Sequence, residues 1–261
     1  MPATETGTKP TRIAFLDEVR GLCCILMVFH HAFYTAVYIY GFDLGRFLFD
    51  FFAVPSPFFA GLFILICGLC CRFSRSNLKR GLLLLGVAMA MSLFLMLFMP
   101  GSAIWYGILH FLASGILLYA LTHRLLDRVP PAVGLAVCGV LTLLCWNLPL
   151  GEGGYVGIPG LFTLEVPTAW RHVDWLFPLG LAYGQSADYF PFLKWIWVFL
   201  AGVFLGRWAK EGRFPVWMSR SHARWLSAVG HYTLWVYIAH QPVIYGIFWV
   251  LNALGLLPAA G

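Results

Sequence analysis

KRGLLLLGVAMAMSLFLMLFM, residues 79–99, decides the fold class of this chain. After Arg80 the stretch carries no charge, and Ser92 is its one hydroxyl side chain. A helix that crosses a bilayer needs roughly 20 mostly apolar residues, which this run supplies. The whole chain is 61% hydrophobic and 11% charged, whereas a soluble domain is about 25% charged. The sequence therefore predicts an all-α, polytopic transmembrane helix bundle.

Seven apolar segments are candidates for membrane spans. They cover approximately residues 20–40, 50–71, 79–99, 104–122, 132–148, 189–207 and 226–250. Residues 173–187 are also apolar, but they are short and interrupted by Pro and Gly, so we expect an interfacial or re-entrant segment there. The predicted organisation is a disordered cytoplasmic tail (1–12), a single transmembrane domain (13–254) and a short outer tail (255–261).

The basic residues predict the orientation of the bundle. The formal net charge is +6. All Lys and Arg other than Arg46, Arg171 and Lys194 lie in or beside four segments between or before the predicted spans: the N-terminal tail, 72–80, 123–131 and 208–225. Short cytoplasmic segments are enriched in Lys and Arg, so we expect the N-terminus inside and the C-terminus outside. Orientation accounts for the basic excess, and nucleic acid is not an expected partner.

The seven cysteines lie within or at the ends of apolar segments. Their odd number and their placement argue against a disulfide framework. The cluster CGLCC, residues 67–71, is compatible with a metal or lipidation site, but small buried hydrophobes explain it equally. No HExxH motif or Cys/His ligand spacing is present, so no metal is expected.

Three histidines in apolar segments are the candidate catalytic residues: His31, His110 and His240. An ionisable residue inside a membrane helix is a functional candidate by default, and imidazole suits proton transfer near neutral pH. Eleven residues make almost three helical turns, so Arg20 and His31 share a face about 16 Å apart along the axis. The alternative is that each histidine is a hydrogen-bonding contact between helices. His30 points about a quarter-turn away and is assigned a structural role.

Five polar residues near these histidines are candidates for binding the substrate: Tyr34, Asp50, Asp188, Tyr237 and Gln241. Tyr34 continues the face of His31, and Tyr237 lies three residues before His240. Either aspartate could orient a histidine or bind a hydroxyl or amine of a substrate. Each could instead cap the N-terminus of a helix, where an acid is favoured.

The segment CRFSRSNLKRG, residues 71–81, predicts an anion site on the cytoplasmic side. Ser76 or Asn77 could cap the helix that follows, so that its free N–H groups join the surrounding cations. Short inner loops are basic in any case, and the pattern alone leaves both interpretations open. The candidate anion-binding residues are Arg20, Arg72, Arg75, Asn77, Lys79 and Arg80.

Five motifs in fixed order carry a resemblance: LDEVRGLCCILMVFHH (16–31), CRFSRSNLKRGLLLLG (71–86), YGILHFLA (106–113), DYFPFLKWIWVFLAGVFLG (188–206) and LWVYIAHQPVI (234–244). From Arg12 to about Asn252 the chain resembles the bacterial branch of the heparan-alpha-glucosaminide N-acetyltransferase catalytic-domain family. The resemblance implies a transmembrane acyltransferase of the inner bacterial membrane. Its donor would be acetyl-CoA on the cytoplasmic side, and its acceptor an amine or hydroxyl, as on a sugar, at the outer side.

The resemblance also suggests how the candidate residues act. The basic cluster would hold the phosphates of acyl-CoA, and the thioester would arrive near His31. A histidine would then deprotonate the acceptor, or would carry the acyl group itself. The family's catalytic histidine lies in an outer loop, but the matching stretch YIYGFDLGRF (38–47) has none. His31 takes its place on local grounds.

Two other functions are compatible with the sequence. A small proton-coupled transporter would also use intramembrane histidines, although a pair of broken helices is not apparent. A structural membrane subunit would use GVFLG, residues 202–206, to pack helices closely. The acceptor, the acyl chain length and the presence of a homo-oligomer stay open.

Overall fold

The structure, a computed structural model, describes residues 13–148 and 154–257, with Asp43 and Leu44 described by their backbone alone. The described residues contain nine α-helices and one two-stranded hairpin. These are α1 (Ala14–Tyr38), α2 (Asp43–Ala53), α3 (Ser56–Cys70), α4 (Asn77–Phe98), α5 (Ile108–Leu126), α6 (Pro131–Cys145), β1 (Tyr155–Ile158), β2 (Phe162–Glu165), α7 (Phe192–Lys210), α8 (Arg224–His231) and α9 (Thr233–Ala253). The predicted tail over residues 1–12 lies outside the described residues, as do residues 258–261.

Six helices are long and apolar enough to cross a membrane: α1, α3 with the 3-10 turn that extends it to Phe73, α4, α5, α7 and α9. The all-α polytopic fold predicted from the sequence is therefore confirmed. The predicted fifth span is the exception in length. Helix α6 has 15 residues, or roughly 22 Å, whereas the hydrocarbon core is about 30 Å thick.

Two predicted spans begin at the wrong place. The segment predicted at 50–71 is two helices, because α2 ends at Ala53 and α3 begins at Ser56. Pro55 between them lacks a backbone N–H, and the Ser56 hydroxyl donates to the carbonyl of Ala53 at 3.0 Å instead. The segment predicted at 226–250 is likewise divided at Tyr232, between α8 and α9.

The described chain forms two compact units: a terminal unit (13–63 with 214–257) and a central unit (64–213). A single domain over 13–254 stays a prediction. In the terminal unit, α1 packs against α2, α8 and α9. Helices α1 and α8 approach at the level of the backbone, because a Cβ added to Gly21 would overlap the carbonyl of Leu226. A Cβ on Gly230 would likewise overlap the carbonyl of Asp17.

In the central unit, two helices also cross at a pair of glycines. Helix α4 packs on α5, and α6 packs on α7. Gly202 of α7 faces the carbonyl of Leu65, and Gly68 of α3 faces the carbonyl of Phe199, both without room for a Cβ. The close packing predicted for GVFLG is thus confirmed, since backbones can approach this closely where the side chain is a hydrogen.

The described part of the connection between α6 and α7 contains the hairpin and two 3-10 helices. Strands β1 and β2 are antiparallel. The 3-10 helices span Thr168–His172 and Asp174–Leu179, and the second ends at Gly180, whose φ of 89° is left-handed. Residues 173–187 are therefore irregular apart from one short helix. Their interfacial or re-entrant location stays a prediction.

Candidate active site

The predicted polar face of the first helix is half-buried at Arg20 and His31 and exposed at Tyr34 and Tyr38. Arg20 pairs with Asp17 at 3.1 Å, one turn away, and also donates to the carbonyl of Gly230 at 3.3 Å. Toward the other end of α1, the rings of Tyr34 and Tyr38 lie 4.9 Å apart. Arg20 thus already has protein partners, and its predicted contact with the donor stays a prediction.

His31 of α1 and His240 of α9 lie side by side. Their ring centroids are 5.0 Å apart, and His240 is buried. Gln241 adds a third group, because its amide nitrogen lies 3.3 Å from Nδ1 of His31. The fold therefore brings together two of the three predicted catalytic histidines and one predicted substrate-binding residue.

The hydrogen bonds indicate which nitrogen of each ring carries the proton. Nδ1 of His240 contacts the carbonyl oxygen of Tyr237, which can only accept, so Nδ1 is protonated. Nε2 of His240 is then an unprotonated nitrogen, and it is buried without a hydrogen-bond partner. Nδ1 of His31 accepts from the amide of Gln241, which places the proton of neutral His31 on Nε2. The two imidazoles thus have opposite tautomers.

Pro242 is embedded in α9 directly after this group. A proline inside a helix cannot donate to the carbonyl four residues earlier, here that of Ile238. The carbonyl of Ile238 therefore lacks the N–H partner that it would have in a regular helix. This turn of α9 carries Gln241 and His240.

His30 has a different environment from its neighbour. Its ring lies 5.3 Å from that of Phe49 on α2, and 5.7 Å from that of His31. Its Nδ1 is buried without a hydrogen-bond partner. The aromatic packing supports the structural role assigned to it, which stays a prediction.

His110, the third predicted catalytic histidine, is buried in the central unit. The hydroxyl of Ser92 donates to the carbonyl of Ile104 at 2.6 Å, so its oxygen is left to accept from Nε2 of His110 at 3.3 Å. Nδ1 of His110 is buried without a hydrogen-bond partner. Sequence analysis missed Ser92, although a hydroxyl in an otherwise apolar helix was the available signal.

Tyr106 and Ser114, four residues before and four residues after His110, lie beside it. The rings of Tyr106 and His110 are 6.0 Å apart, and Ser114 donates to the carbonyl of His110. Tyr106 precedes α5 and lies outside the six helices that could span a membrane, and burial raises its pKa to about 12. Tyr189 pairs with it through the backbone, and burial also raises the pKa of Tyr189. Neither phenol ionises at neutral pH.

Asp188 holds the start of α5. Its carboxylate accepts from the backbone N–H of Ile108, the first residue of α5, at 2.9 Å. A Cβ on Gly107 would overlap that carboxylate, so the close approach requires glycine. Capping was one of the two roles considered for Asp188, but the capped helix is α5 rather than α7, which follows Asp188 in the sequence. Asp188 therefore supports the helix of His110.

Asp50 and Tyr34 are exposed in the terminal unit. Asp50 lies within α2 rather than before a membrane span, so its predicted place at the start of the second span is wrong. Tyr34 contacts the ring of Phe49 at 6.0 Å and is 44% exposed. Substrate binding by either residue stays a prediction.

The basic cluster surrounds the N-terminus of α4. Ser76 is the N-cap, and its hydroxyl accepts from the backbone N–H of Lys79, as one of the two predicted caps. Arg75 and Lys79 are exposed. Among the described residues, neither side chain has an ion pair, so both cations are available to an anion at this helix end.

The other members of the cluster have protein partners. Arg72 pairs with Asp127, donates to the carbonyl of Val203 at 3.1 Å and lies over the ring of Tyr119. Arg80 lies 3.3 Å from the sulfur of Cys67. Asn77 was also predicted to contact the donor. Its side-chain amide already donates to the backbone carbonyl of Cys71. Sequence patterns missed Asp127, which is distant in the chain.

Over the described ranges, no group of three or more His, Cys, Asp and Glu side chains could hold a metal ion. The seven cysteines are free thiols, six of them buried and Cys70 half-buried.

The comparisons with known proteins agree with the motifs. The sequence model of a family described as "Heparan-alpha-glucosaminide N-acetyltransferase, catalytic" matches residues 12–242, most of the chain. No curated protein and no solved structure matches. The match confirms the family expected from the motifs, while the bacterial branch stays a prediction.

Proposed function

The chain belongs to the heparan-alpha-glucosaminide N-acetyltransferase catalytic family and is an integral membrane protein of the acetyltransferase class, and we propose from this that its donor is acetyl-CoA. The donor binds on the cytoplasmic side of a bacterial inner membrane. The acceptor is an amine or hydroxyl, as on a sugar, at the outer side. The basic residues support this orientation, because the inner segments of membrane proteins are enriched in Lys and Arg.

The observation that carries the proposal is the histidine pair of the terminal unit. Nε2 of His240 offers a lone pair, while Nε2 of His31 carries a proton. A base and a hydrogen-bond donor 5.0 Å apart, ring to ring, could remove the proton of the acceptor and stabilise the oxyanion during acyl transfer from a thioester. Both tautomers are fixed by neighbouring groups, so little reorganisation precedes the reaction.

The proposed reaction is direct transfer with one base. Nε2 of His240 takes the proton of the acceptor N–H or O–H as that nitrogen or oxygen attacks the thioester carbonyl. The new C–N or C–O bond forms, the C–S bond breaks, and the sulfur leaves with its electron pair. The imidazolium returns the proton to the thiolate, giving acetylated acceptor and free coenzyme A. Nε2–H of His31 is placed to stabilise the developing oxyanion.

The predicted substrate-binding residues divide by their contacts. Gln241 and Tyr237 hold the tautomers of the pair through their hydrogen bonds, so we assign them positioning roles. Tyr34 and Asp50 remain candidates for contact with the acceptor. Asp188 and His110 belong to the central unit, where Asp188 supports the helix that carries His110.

For the donor, the free cations at the N-terminus of α4 are the first candidates. Phosphates of acetyl-CoA would interact with Arg75, Lys79 and the N–H groups of the first turn. Arg72 and Arg80 would reinforce the positive field while keeping their protein partners. Arg75 is therefore the residue whose removal should affect the donor most directly.

Binding and transfer of acetyl groups test the proposal. Purified protein is titrated with acetyl-CoA by calorimetry, using wild type, Arg75→Ala, His240→Ala and Arg46→Ala. Arg46→Ala is the matched control, because it also removes one exposed cation, at a position predicted on the outer side. We expect Arg75→Ala to weaken binding about tenfold, the value of one charge-assisted hydrogen bond, while His240→Ala and Arg46→Ala bind normally.

Reconstitution then tests transfer. Vesicles containing the protein, with acetyl-CoA on one side and glucosamine on the other, should yield acetylated sugar with wild type and little with His240→Ala. A folded wild type that fails to bind millimolar acetyl-CoA would refute the donor. That result would favour the proton-coupled transporter, which has no need of acetyl-CoA.

A further inference from the structure

The hairpin β1–β2 has one apolar face. Antiparallel pairing sets Val156 opposite Leu164 and Ile158 opposite Phe162. Alternate residues of a strand project to the same side, so these two pairs share a face. The opposite face carries the pairs Gly157–Thr163 and Tyr155–Glu165. The ribbon is therefore amphipathic, and no charged residue occurs between positions 155 and 164.

Most of the apolar face is exposed. Ile158, Phe162 and Leu164 are 39%, 46% and 65% exposed, and Leu161 at the turn is 74% exposed. Single exposed apolar residues are common, but a contiguous apolar group marks an interaction surface. The described residues of the central unit do not cover this one.

At Val156, the apolar face of the hairpin packs against the ends of two helices. Val156 packs against a buried cluster of Cys145, Leu148 and Val166. Leu193 and Trp197, in the first turns of α7, pack against that cluster as well. The hairpin is thus fixed to the C-terminal end of α6 and the N-terminal end of α7, and its apolar face continues outward from there.

These helix ends carry the residues typical of the boundary between lipid and water. The ammonium of Lys194 lies 4.8 Å from the ring centre of Trp146 and 5.9 Å from that of Trp195. Tryptophan is enriched at membrane interfaces, and lysine near a helix end extends toward the headgroups. Since α7 is long and apolar enough to span, the hairpin leaves the helices at the level of the interface.

We propose that the apolar face of the β1–β2 hairpin inserts into the interfacial layer of the bilayer, so that phospholipid is its partner. Lipid is favoured over a soluble partner because the face is continuous with helix ends that the bilayer already surrounds. Thr163 and Glu165, on the other face, would remain toward headgroups and water. The inference does not depend on the acetyl-transfer reaction.

Spin labels in phosphatidylcholine vesicles test the insertion. Single cysteines replace Leu161, Phe162 and Thr163, and power saturation compares access of oxygen, which concentrates in lipid, with access of a water-soluble nickel chelate. Met89→Cys on α4 is the lipid control, and Glu211→Cys after α7 is the aqueous control. Labelled wild type corrects for Cys70, the half-buried native thiol.

We expect labels at 161 and 162 to lie between the two controls, roughly 5–10 Å below the headgroups as for other interfacial segments. The label at 163 should be more accessible to nickel than that at 162. Nickel access at 161 equal to that at 211 would overturn the proposal. Spin–spin broadening with low access to both reagents would also overturn it, because a second copy of the chain would then cover the face.

Discussion

The terminal and central units use the same packing device but give their histidines different neighbours. Each unit crosses two helices at backbone contact through a pair of glycines, Gly21 with Gly230 and Gly68 with Gly202. In the terminal unit, the imidazole of His31 lies beside that of His240. In the central unit, His110 has a serine hydroxyl as its side-chain partner.

The difference bears on the chemistry that each histidine can perform. Two imidazoles with opposite tautomers can accept a proton at one nitrogen and supply one at another. A single imidazole that donates to a hydroxyl is suited to holding helices together. The proposed function therefore places the chemistry at His31 and His240, and substitution of His110 tests that proposal.

The largest expected effect is on acetyl transfer. His240→Ala should lower kcat by about 10²–10⁴-fold, the usual contribution of a general base. His110→Ala should lower it by less than about tenfold if its role is to support structure. Initial rates in vesicles measure both, with His30→Ala as the matched control. Equal losses for His110 and His240 would show that both units carry the chemistry.

The next effect concerns the packing that the units share. Gly21→Ala and Gly202→Ala should each lower the free energy of unfolding by about 1–3 kcal/mol, because the added methyl overlaps a carbonyl. Gly246→Ala and Gly139→Ala are matched controls, since no atom lies within 4 Å of the added Cβ. Thermal unfolding in detergent measures all four. A Gly21→Ala protein as stable as Gly246→Ala would mean that the α1–α8 contact is not tight.

A smaller effect should come from the amide beside the pair. Gln241→Met removes the donor to Nδ1 of His31, and a hydrogen bond inside a membrane bundle is worth about 0.6–1.7 kcal/mol. We expect kcat to fall roughly three- to twentyfold with KM nearly unchanged, because the amide orients His31 rather than binding substrate. Gln185→Met, in an exposed loop, is the control. A change confined to KM would instead assign Gln241 to the acceptor.

The smallest effect is the pH dependence next to His110. The folded pKa of Tyr106 is raised to about 12 from the ordinary 10.0. The unfolded chain therefore ionises first, so the contribution of Tyr106 to stability is complete below pH 10 and is lost as pH rises toward 12. Wild type should lose stability more steeply than Tyr106→Phe between these values. Parallel curves would show that water reaches the phenol.

Local sequence was sufficient for much of the fold. Uncharged runs such as residues 81–99 predict spanning helices, because an unpaired backbone polar group in lipid is costly. A cap at Ser76 or Asn77 and a contact point at Gly202 also follow from neighbouring residues, and the structure selects Ser76 as the cap. The helix boundaries at Pro55 and Tyr232 were missed, although Pro55, Ser56 and Pro57 mark the first break and Gly230 and His231 the second.

The candidate site was likewise predictable from local sequence in part only. The chain alone predicts that His31, His110 and His240 lie in apolar helices, because burial of an ionisable group can be inferred from the residues around it. It does not predict which of them meet, nor that Ser92 faces His110, that Asp188 caps α5, or that Asp127 pairs with Arg72. These contacts join residues far apart in the sequence, and helix packing fixes them. The tautomers of His31 and His240 follow from that packing, since each depends on the partner that the fold places beside the ring.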